Sequence, residues 1–301
     1  MIKSNSPKWF KEVLSKEPIK QSVKVKGATI AYNVWGEKEK PGILFVHGGM
    51  AHADWWSFIA PYFAETHRVI AINLGGMGDS TWRKEYKAEL WGEEIVRVCA
   101  KEKLKKPIIV GHSLGGLCSV VAAAQLKSKL YGLVIVDTAI VPPSKIPDKF
   151  DFKIKANKTY KSINDAKSRF RLVPPQGEGL DYIMEYIADK SIKQVKNGWT
   201  WKFDPNYMKI FTATGFKERQ EVYRKKLTSL KCRVAVFRGE KSLFFQGGTD
   251  KYMHELMDKK SPIISIPEAH HHIMVDQPLA LISALRALVI DWDHSKPSKS
   301  K

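Results

Sequence analysis

The sequence predicts a doubly wound α/β domain interrupted by one long insertion. Short, continuously apolar runs fall at residues 43–46, 69–72, 108–110, 133–136, 234–237 and, less purely, 263–266. Such runs suit strands buried on both faces of a largely parallel sheet. Between most of them lie helical stretches, for example 90–99, 114–126 and 279–292, so strand and helix alternate along the chain. Ahead of these, residues 23–25 and 28–34 flank Lys26-Gly27 and read as an antiparallel hairpin.

One interval breaks the alternation. Between Asp137 and Cys232 no clear buried strand is visible, but aromatics are frequent, among them Tyr160, Trp199, Trp201 and Tyr207. A segment of that length is not a bare loop in a compact domain. The expected division is therefore a core of residues 1–140 and 227–295, a mostly helical cap over 141–226, and a disordered basic tail at 296–301. Pro142-Pro143 favours an extended exit from the strand into the insertion.

Composition bounds the function classes. With 44% hydrophobic and 27% charged residues, 301 residues suffice for a large buried core. The first eighteen residues hold no apolar run and no small-residue cleavage site, so a secretory signal is not expected. The apolar runs are too short to span a bilayer. Cys99, Cys118 and Cys232 are odd in number and widely spaced, which suits reduced thiols and a cytoplasmic protein. The net charge of +19 raises the question of a polyanionic partner. Its lysines are spread along the whole chain rather than gathered on one motif. The charge is therefore read as a solubility and steering effect; nucleic acid is not expected, and an anionic substrate is permitted.

The strongest motif is residues 107–110 followed by Gly111-His112-Ser113-Leu114-Gly115-Gly116. A buried strand runs into G-x-S-x-G and an alanine-rich helix follows, the context a nucleophile elbow requires. Glycines two residues either side of Ser113 remove side chains that would collide in a strained turn. The helix start directs free N–H groups at the reacting oxygen.

With these residues the chain resembles the cap-bearing branch of the α/β-hydrolase superfamily, from about Val23 to Trp292. The resemblance implies an eight-stranded, mostly parallel sheet flanked by helices, with a helical cap. Epoxide hydrolases and dehalogenases of this layout carry Asp at the nucleophile, so Ser113 points instead to acyl transfer through an acyl-serine. After residues 43–46 comes His47-Gly48-Gly49-Met50, where the family places one oxyanion donor. The residue after the nucleophile supplies the other, which assigns the backbone N–H groups of Gly49 and Leu114. His47 is expected to brace the turn, and Trp55 and Trp56 either wall the pocket or pack the core.

The family's general base stands seven residues before the proline of a Q-P step, which is His271 counted back from Pro278. His270 replaces the glycine more usual before it. Three successive histidines also invite a metal reading, but adjacent loop side chains diverge and no partner cluster shows ligand spacing, so no metal is expected. The acid is open. The usual family position falls at Ser242, and some members carry the acid instead roughly 24 residues beyond the nucleophile. That count reaches Asp137; Glu240 is the alternative, with Asp250 or no acid behind it. Segment 73–80 corresponds to a glycine-rich family turn and departs from it at Asn73, Gly75 and Met77; Asp79 is read as a turn brace.

The resemblance implies a cofactor-independent serine hydrolase of a carboxylic ester, lactone or related acyl compound. Its substrate is expected to carry an apolar or aromatic group. Carbon–carbon bond or amide hydrolysis by the same residues, and a non-catalytic ligand-binding protein on this scaffold, are the alternatives.

Overall fold

The structure is a computed structural model, and it describes residues 6–146, 156–177, 179–212, 216–257 and 261–295. The expected tail at 296–301 lies outside the described residues. Ten strands are present among them: β1 (Ile19–Val25), β2 (Ala28–Trp35), β3 (Gly42–Val46), β4 (Arg68–Ile72), β5 (Ile108–His112), β6 (Gly132–Val136), β7 (Ile192–Val195), β8 (Gly198–Trp201), β9 (Arg233–Gly239) and β10 (Ile263–Ile266). Eight of them form one sheet in the order β1-β2-β4-β3-β5-β6-β9-β10. The pairs β1–β2 and β2–β4 are antiparallel and all others parallel.

Period-two alternation divides the strand residues between two cores. Leu44, Val46, Ile70, Ile72, Ile109, Leu133, Ile135 and Val236 point to one face. Their neighbours Ile43, Phe45, Val69, Ala71, Val110, Val134, Val136 and Phe237 point to the other. A strand apolar on both faces has to be covered on both, and helices do so. The helices are α1 (Lys8–Leu14), α2 (Ala88–Lys101), α3 (Leu114–Leu126), α4 (Ile163–Lys167), α5 (Asp181–Lys190), α6 (Lys209–Thr212), α7 (Phe216–Thr228), α8 (Thr249–Leu256), α9 (Ile273–Asp276) and α10 (Pro278–His294). Trp91 and Ile95 of α2, Cys118 and Val121 of α3 and Met253 of α8 join the first core. Phe10 of α1 and Leu281, Leu285 and Val289 of α10 join the second.

Most of the regular structure in the described part of the insertion is helical, as expected, but it also holds a small hairpin. β7 and β8 form an antiparallel hairpin closed by Lys196-Asn197, and Tyr160 adds an isolated bridge to Trp199. Gly198 has φ +137°, and its missing side chain leaves room for the Tyr160 carbonyl. The two-residue turn Lys196-Asn197 followed by Gly198 is a hairpin signal that the aromatic content masks. The expected boundary at 226 falls inside α7, which packs on α3 and contributes Tyr223 and Leu227 to the first core.

Specific bonds hold the insertion against the carboxyl ends of the strands. Asp204 donates its N–H to the Gly76 carbonyl (2.8 Å) and accepts from Tyr86 Oη (2.7 Å). Lys202 reaches Asp79 at 2.8 Å, and Met77 pairs with Phe203. The glycine-rich turn at 73–80 is thus the seat of the insertion as well as a sharp bend. Glu94, fully buried on α2, braces that turn by accepting from the Gly75 N–H (2.7 Å) and Arg83 Nε (2.9 Å).

Candidate active site

Ser113 sits between β5 and α3 with φ +52° and ψ −123°. Its neighbours explain why this strained turn needs glycine. A Cβ on Gly111 would lie 2.6 Å from the Gly115 carbonyl oxygen, and one on Gly115 would lie 2.6 Å from that of Val46. Both obstacles are backbone and have no rotamer to change. The strain at Ser113 is held by its N–H, which donates to the Val136 carbonyl (3.1 Å), and by Thr138 Oγ1, which donates to the Ser113 carbonyl (2.9 Å).

Parallel register brings the other residues to the same end of the sheet. Val136 pairs with Phe237, so Asp137, one step beyond β6, donates its N–H to the Phe237 carbonyl at 2.7 Å. Ile266 pairs with Gly239, and the loop after β10 carries His271 back over β9. His271 Nδ1 donates to Asp137 Oδ2 (2.7 Å), and Ser113 Oγ donates to His271 Nε2 (3.0 Å). This partner set assigns the ring proton to Nδ1. Asp137 and His271 are buried, while Ser113 faces a cavity.

The Asp137 carboxylate is fully engaged. Oδ1 accepts from the Gly239 N–H (2.8 Å) and Oδ2 from Ser242 Oγ (2.6 Å) as well as from His271. Ser242, standing where the family pattern would put an acid, therefore points into the Asp137 carboxylate. The two alternative acid positions converge in space. Glu240 lies elsewhere: it is exposed, and its carboxylate accepts from the Glu268 N–H (2.9 Å). Asp250 lies in the first turn of α8.

The loop that carries His271 is pinned on both sides. His270 donates its N–H to Asp276 Oδ2 (2.8 Å), His272 donates its own to Gln176 Oε1 (2.8 Å), and His112 Nε2 lies 3.0 Å from the His271 carbonyl oxygen. His270 turns its ring away to Asp276 (3.0 Å). His271 and His272 do not splay apart as expected of adjacent residues. Their ring centroids are 4.7 Å apart, and with His112 they form a buried histidine cluster. The arrangement does not suit a metal. Both His271 nitrogens and His112 Nε2 are already in hydrogen bonds, so an ion would have to break the Ser113–His271–Asp137 chain. Burial, reinforced by the neighbouring histidines, holds His112 well below the usual imidazole range and pushes His272 down to about 3. Both rings are therefore neutral at physiological pH.

Gly49 and Leu114 line the same cavity as Ser113. Leu114 is the first residue of α3, so no helical carbonyl takes its N–H. Gly49 lies under Tyr207, and a Cβ there would come within 2.7 Å of the Tyr207 hydroxyl. His47 braces this turn as expected: Nδ1 bonds to the Gly48 carbonyl (2.7 Å) and Nε2 accepts from the Leu74 N–H (3.1 Å). Burial pushes His47 down to about 3 and keeps it neutral for that double role. Trp55 walls the cavity, whereas Trp56 packs against Phe45 in the core, with ring centroids 4.9 Å apart.

The cavity measures about 420 Å³ and is lined largely by apolar side chains, including Leu117, Val141, Met208 and Phe244. The Phe244 ring lies 4.5 Å from that of His271 and covers one side of it. Ser242, Phe244 and Tyr207 escaped the sequence reading as site residues. Only Ser242 had left a signal, as the residue at the usual acid position.

The chain belongs to the alpha/beta hydrolase fold family, whose model matches residues 41–273. It is similar to esterase Rv0045c of Mycobacterium tuberculosis, with 23% identity over 286 residues covering 90% of each chain. A serine hydrolase-like protein of Danio rerio is 22% identical over 273 residues, covering 84% of this chain and 82% of that one. Among solved structures, a thioesterase domain from the curacin biosynthetic pathway superposes with a TM-score of 0.75 at 19% identity, covering 91% of this chain and 99% of that one. The Rv0045c crystal structure superposes with a TM-score of 0.71 at 19% identity, covering 96% and 100% respectively. At such identities the structural likeness speaks for the fold. No helix among the described residues is long and apolar enough to cross a membrane.

Proposed function

We propose that this protein is a serine hydrolase that cleaves a carboxylic ester or related acyl compound through an acyl-serine intermediate. The observation that carries the reading is the unbroken Ser113–His271–Asp137 hydrogen-bonded chain opening into an apolar cavity. The esterase and serine hydrolase names of two relatives covering most of the chain support it.

In this mechanism His271 Nε2 takes the Ser113 proton as Oγ attacks the acyl carbon. Asp137 holds Nδ1–H in place and stabilises the imidazolium that forms. The N–H groups of Leu114 and Gly49 receive the negative charge that develops on the carbonyl oxygen, backed by the start of α3. Collapse of the tetrahedral intermediate breaks the bond to the leaving alcohol, which takes its proton from His271. Water then attacks the acyl-serine, giving one proton to His271. The second collapse returns that proton to Ser113 Oγ and releases the carboxylic acid. Because His112 and His272 stay neutral, His271 is the ring of this cluster that carries the transient charge. The substrate is a small molecule with an apolar or aromatic group, and no nucleic acid takes part. The free thiols Cys99, Cys118 and Cys232 suit a reducing compartment, so we place the enzyme in the cytoplasm.

Labelling with a fluorophosphonate probe tests the assignment. The wild type is expected to label stoichiometrically and to hydrolyse p-nitrophenyl butyrate, and Ser113→Ala to do neither. Folded wild-type protein that neither labels nor turns over would instead identify a ligand-binding protein on a hydrolase scaffold.

A further inference from the structure

A second cavity of about 200 Å³ adjoins the first, and Gly49, Met50, Trp55, Val173 and His272 line both. The two are arms of one bent path past the Gly49 turn. Their charges are one-sided. Lys145 lines the larger arm, Arg169 and Arg171 line the smaller, and Asp137 is the one acidic residue lining either among the described residues. Asp137 is itself buried beneath His271 and Ser242.

The three cations are exposed, and none of them pairs with a carboxylate among the described residues. Arg171 uses Nη1 on the Ser168 and Phe170 carbonyls, which orders its side chain without neutralising it. Some buried or half-buried basic residues elsewhere are compensated, such as Arg68 by Glu102, Arg83 by Glu94, Lys167 by Asp189 and Lys202 by Asp79; what distinguishes these three is their place on the walls of the two cavities. Cations with no carboxylate partner among the described residues, placed on the approach to Ser113, attract anions, and the net charge of +19 adds long-range steering of the same sign.

Resting on the serine hydrolase reading above, we infer that the natural substrate is an anionic acyl ester. Its apolar portion fills the larger arm beside Leu117, Val141 and Met208. Its carboxylate or phosphate lies in the smaller arm against Arg169 and Arg171. An arginine fork can hold either anion through two parallel hydrogen bonds.

Two pairs of esters test this, one for each end of the substrate. Monobutyl adipate against butyl hexanoate places the charge on the acyl side. Butanoyloxyacetate against its methyl ester places it on the alcohol side. Proton release is followed, with fluorophosphonate labelling of Ser113 as the count of active sites.

In at least one pair, kcat/KM for the charged ester is expected to exceed that of the neutral one roughly tenfold or more at low salt. The ratio should fall towards one at about 0.5 M salt, where the screening length is only a few ångströms. It should fall likewise in the Arg169→Gln/Arg171→Gln double variant at ordinary salt. Neutral esters hydrolysed as well as charged ones in both pairs, in Ser113-dependent fashion, would overturn the anionic assignment and leave the hydrolase reading standing. A preference indifferent to salt and to both arginines would overturn the assigned anion site. If no ester is turned over and Ser113 does not label, the hydrolase reading falls and this inference with it.

Discussion

Asp137→Asn separates the role assigned to this carboxylate from that of a strand-end cap, and the structure dictates how the new amide must sit. Oδ1 faces the Gly239 N–H at 2.8 Å, so the amide oxygen has to take that place. The opposite orientation would set two N–H groups against each other in a buried site, at a cost of about 1–3 kcal/mol. With its oxygen on Gly239, the Asn NH₂ faces His271 Nδ1 across the 2.7 Å contact now made by Oδ2. Nδ1 must then accept, and the ring proton moves to Nε2. Ser113 Oγ, 3.0 Å away, meets an N–H that cannot take its proton. A wrong tautomer of this kind lowers kcat by roughly 10³–10⁴-fold. That loss corresponds to about 4–5.5 kcal/mol of transition-state stabilisation. Steady-state hydrolysis of p-nitrophenyl butyrate reads it, with thermal denaturation as the check on folding. Glu240→Gln serves as comparator and should stay within about twofold, since an exposed carboxylate bonded to the Glu268 N–H has no path to His271. A folded Asp137→Asn enzyme within tenfold of wild type, or a Glu240→Gln enzyme equally impaired, would refute the reasoning.

The same geometry makes further predictions. Ser242→Ala removes the 2.6 Å hydrogen bond to Asp137 Oδ2 and should lower kcat about tenfold with little change in KM, the scale of one hydrogen bond to a charged group; an unchanged kcat would reduce Ser242 to a packing residue. Gly49→Ala drives a methyl to within 2.7 Å of the Tyr207 hydroxyl and displaces the turn. A loss of about 10²-fold in kcat is expected, with at least tenfold recovery on adding Tyr207→Phe; a Gly49→Ala enzyme at wild-type rate would remove Gly49 from the oxyanion site. Acid stability follows from the buried neutral histidines. His272 is pushed to about 3 in the fold, whereas the unfolded chain protonates it near 6.5. Below about pH 6.5 the unfolded state binds more protons, so stability is lost as the pH falls, until the folded value is reached near 3. Between pH 7 and pH 5 this one ring accounts for about 2 kcal/mol, and urea titrations should show His272→Phe losing that much less than wild type over the interval.

The glycine-rich turns shape both the site and its cover. Gly76 offers its carbonyl to Asp204, and Met77 pairs with Phe203, so the bend at 73–80 joins the sheet to the insertion. The departures from the family turn at Gly75 and Met77 have local reasons. Gly75 stands against Glu94, where a Cβ would meet the carboxylate at 2.5 Å, and the Met77 side chain is fully buried. Asp79, beside them, spends its carboxylate on Lys202 and not on His271.

What the sequence determined by itself is local. Continuous apolar runs require burial on two faces, so the central parallel strands were legible one by one, whereas the count of eight came with the family resemblance. Gly111, Ser113 and Gly115 specify an elbow because only glycine fits against neighbouring backbone. The spacing from Pro278 pointed to His271 on the strength of family resemblance. Tertiary structure decided what depends on residues distant in the chain meeting at the strand ends. Asp137 could be ranked above Glu240 only by count. It was the parallel pairing of β6 with β9 that set its carboxylate between the Gly239 N–H, Ser242 and His271, 102, 105 and 134 positions away. The meeting of His112 with His271 and His272, the Tyr207 hydroxyl over Gly49 and the joining of two cavities past that turn have the same origin. Side-chain direction across a packed interface is fixed by register and crossing geometry, and a linear pattern of apolar and polar residues does not encode either.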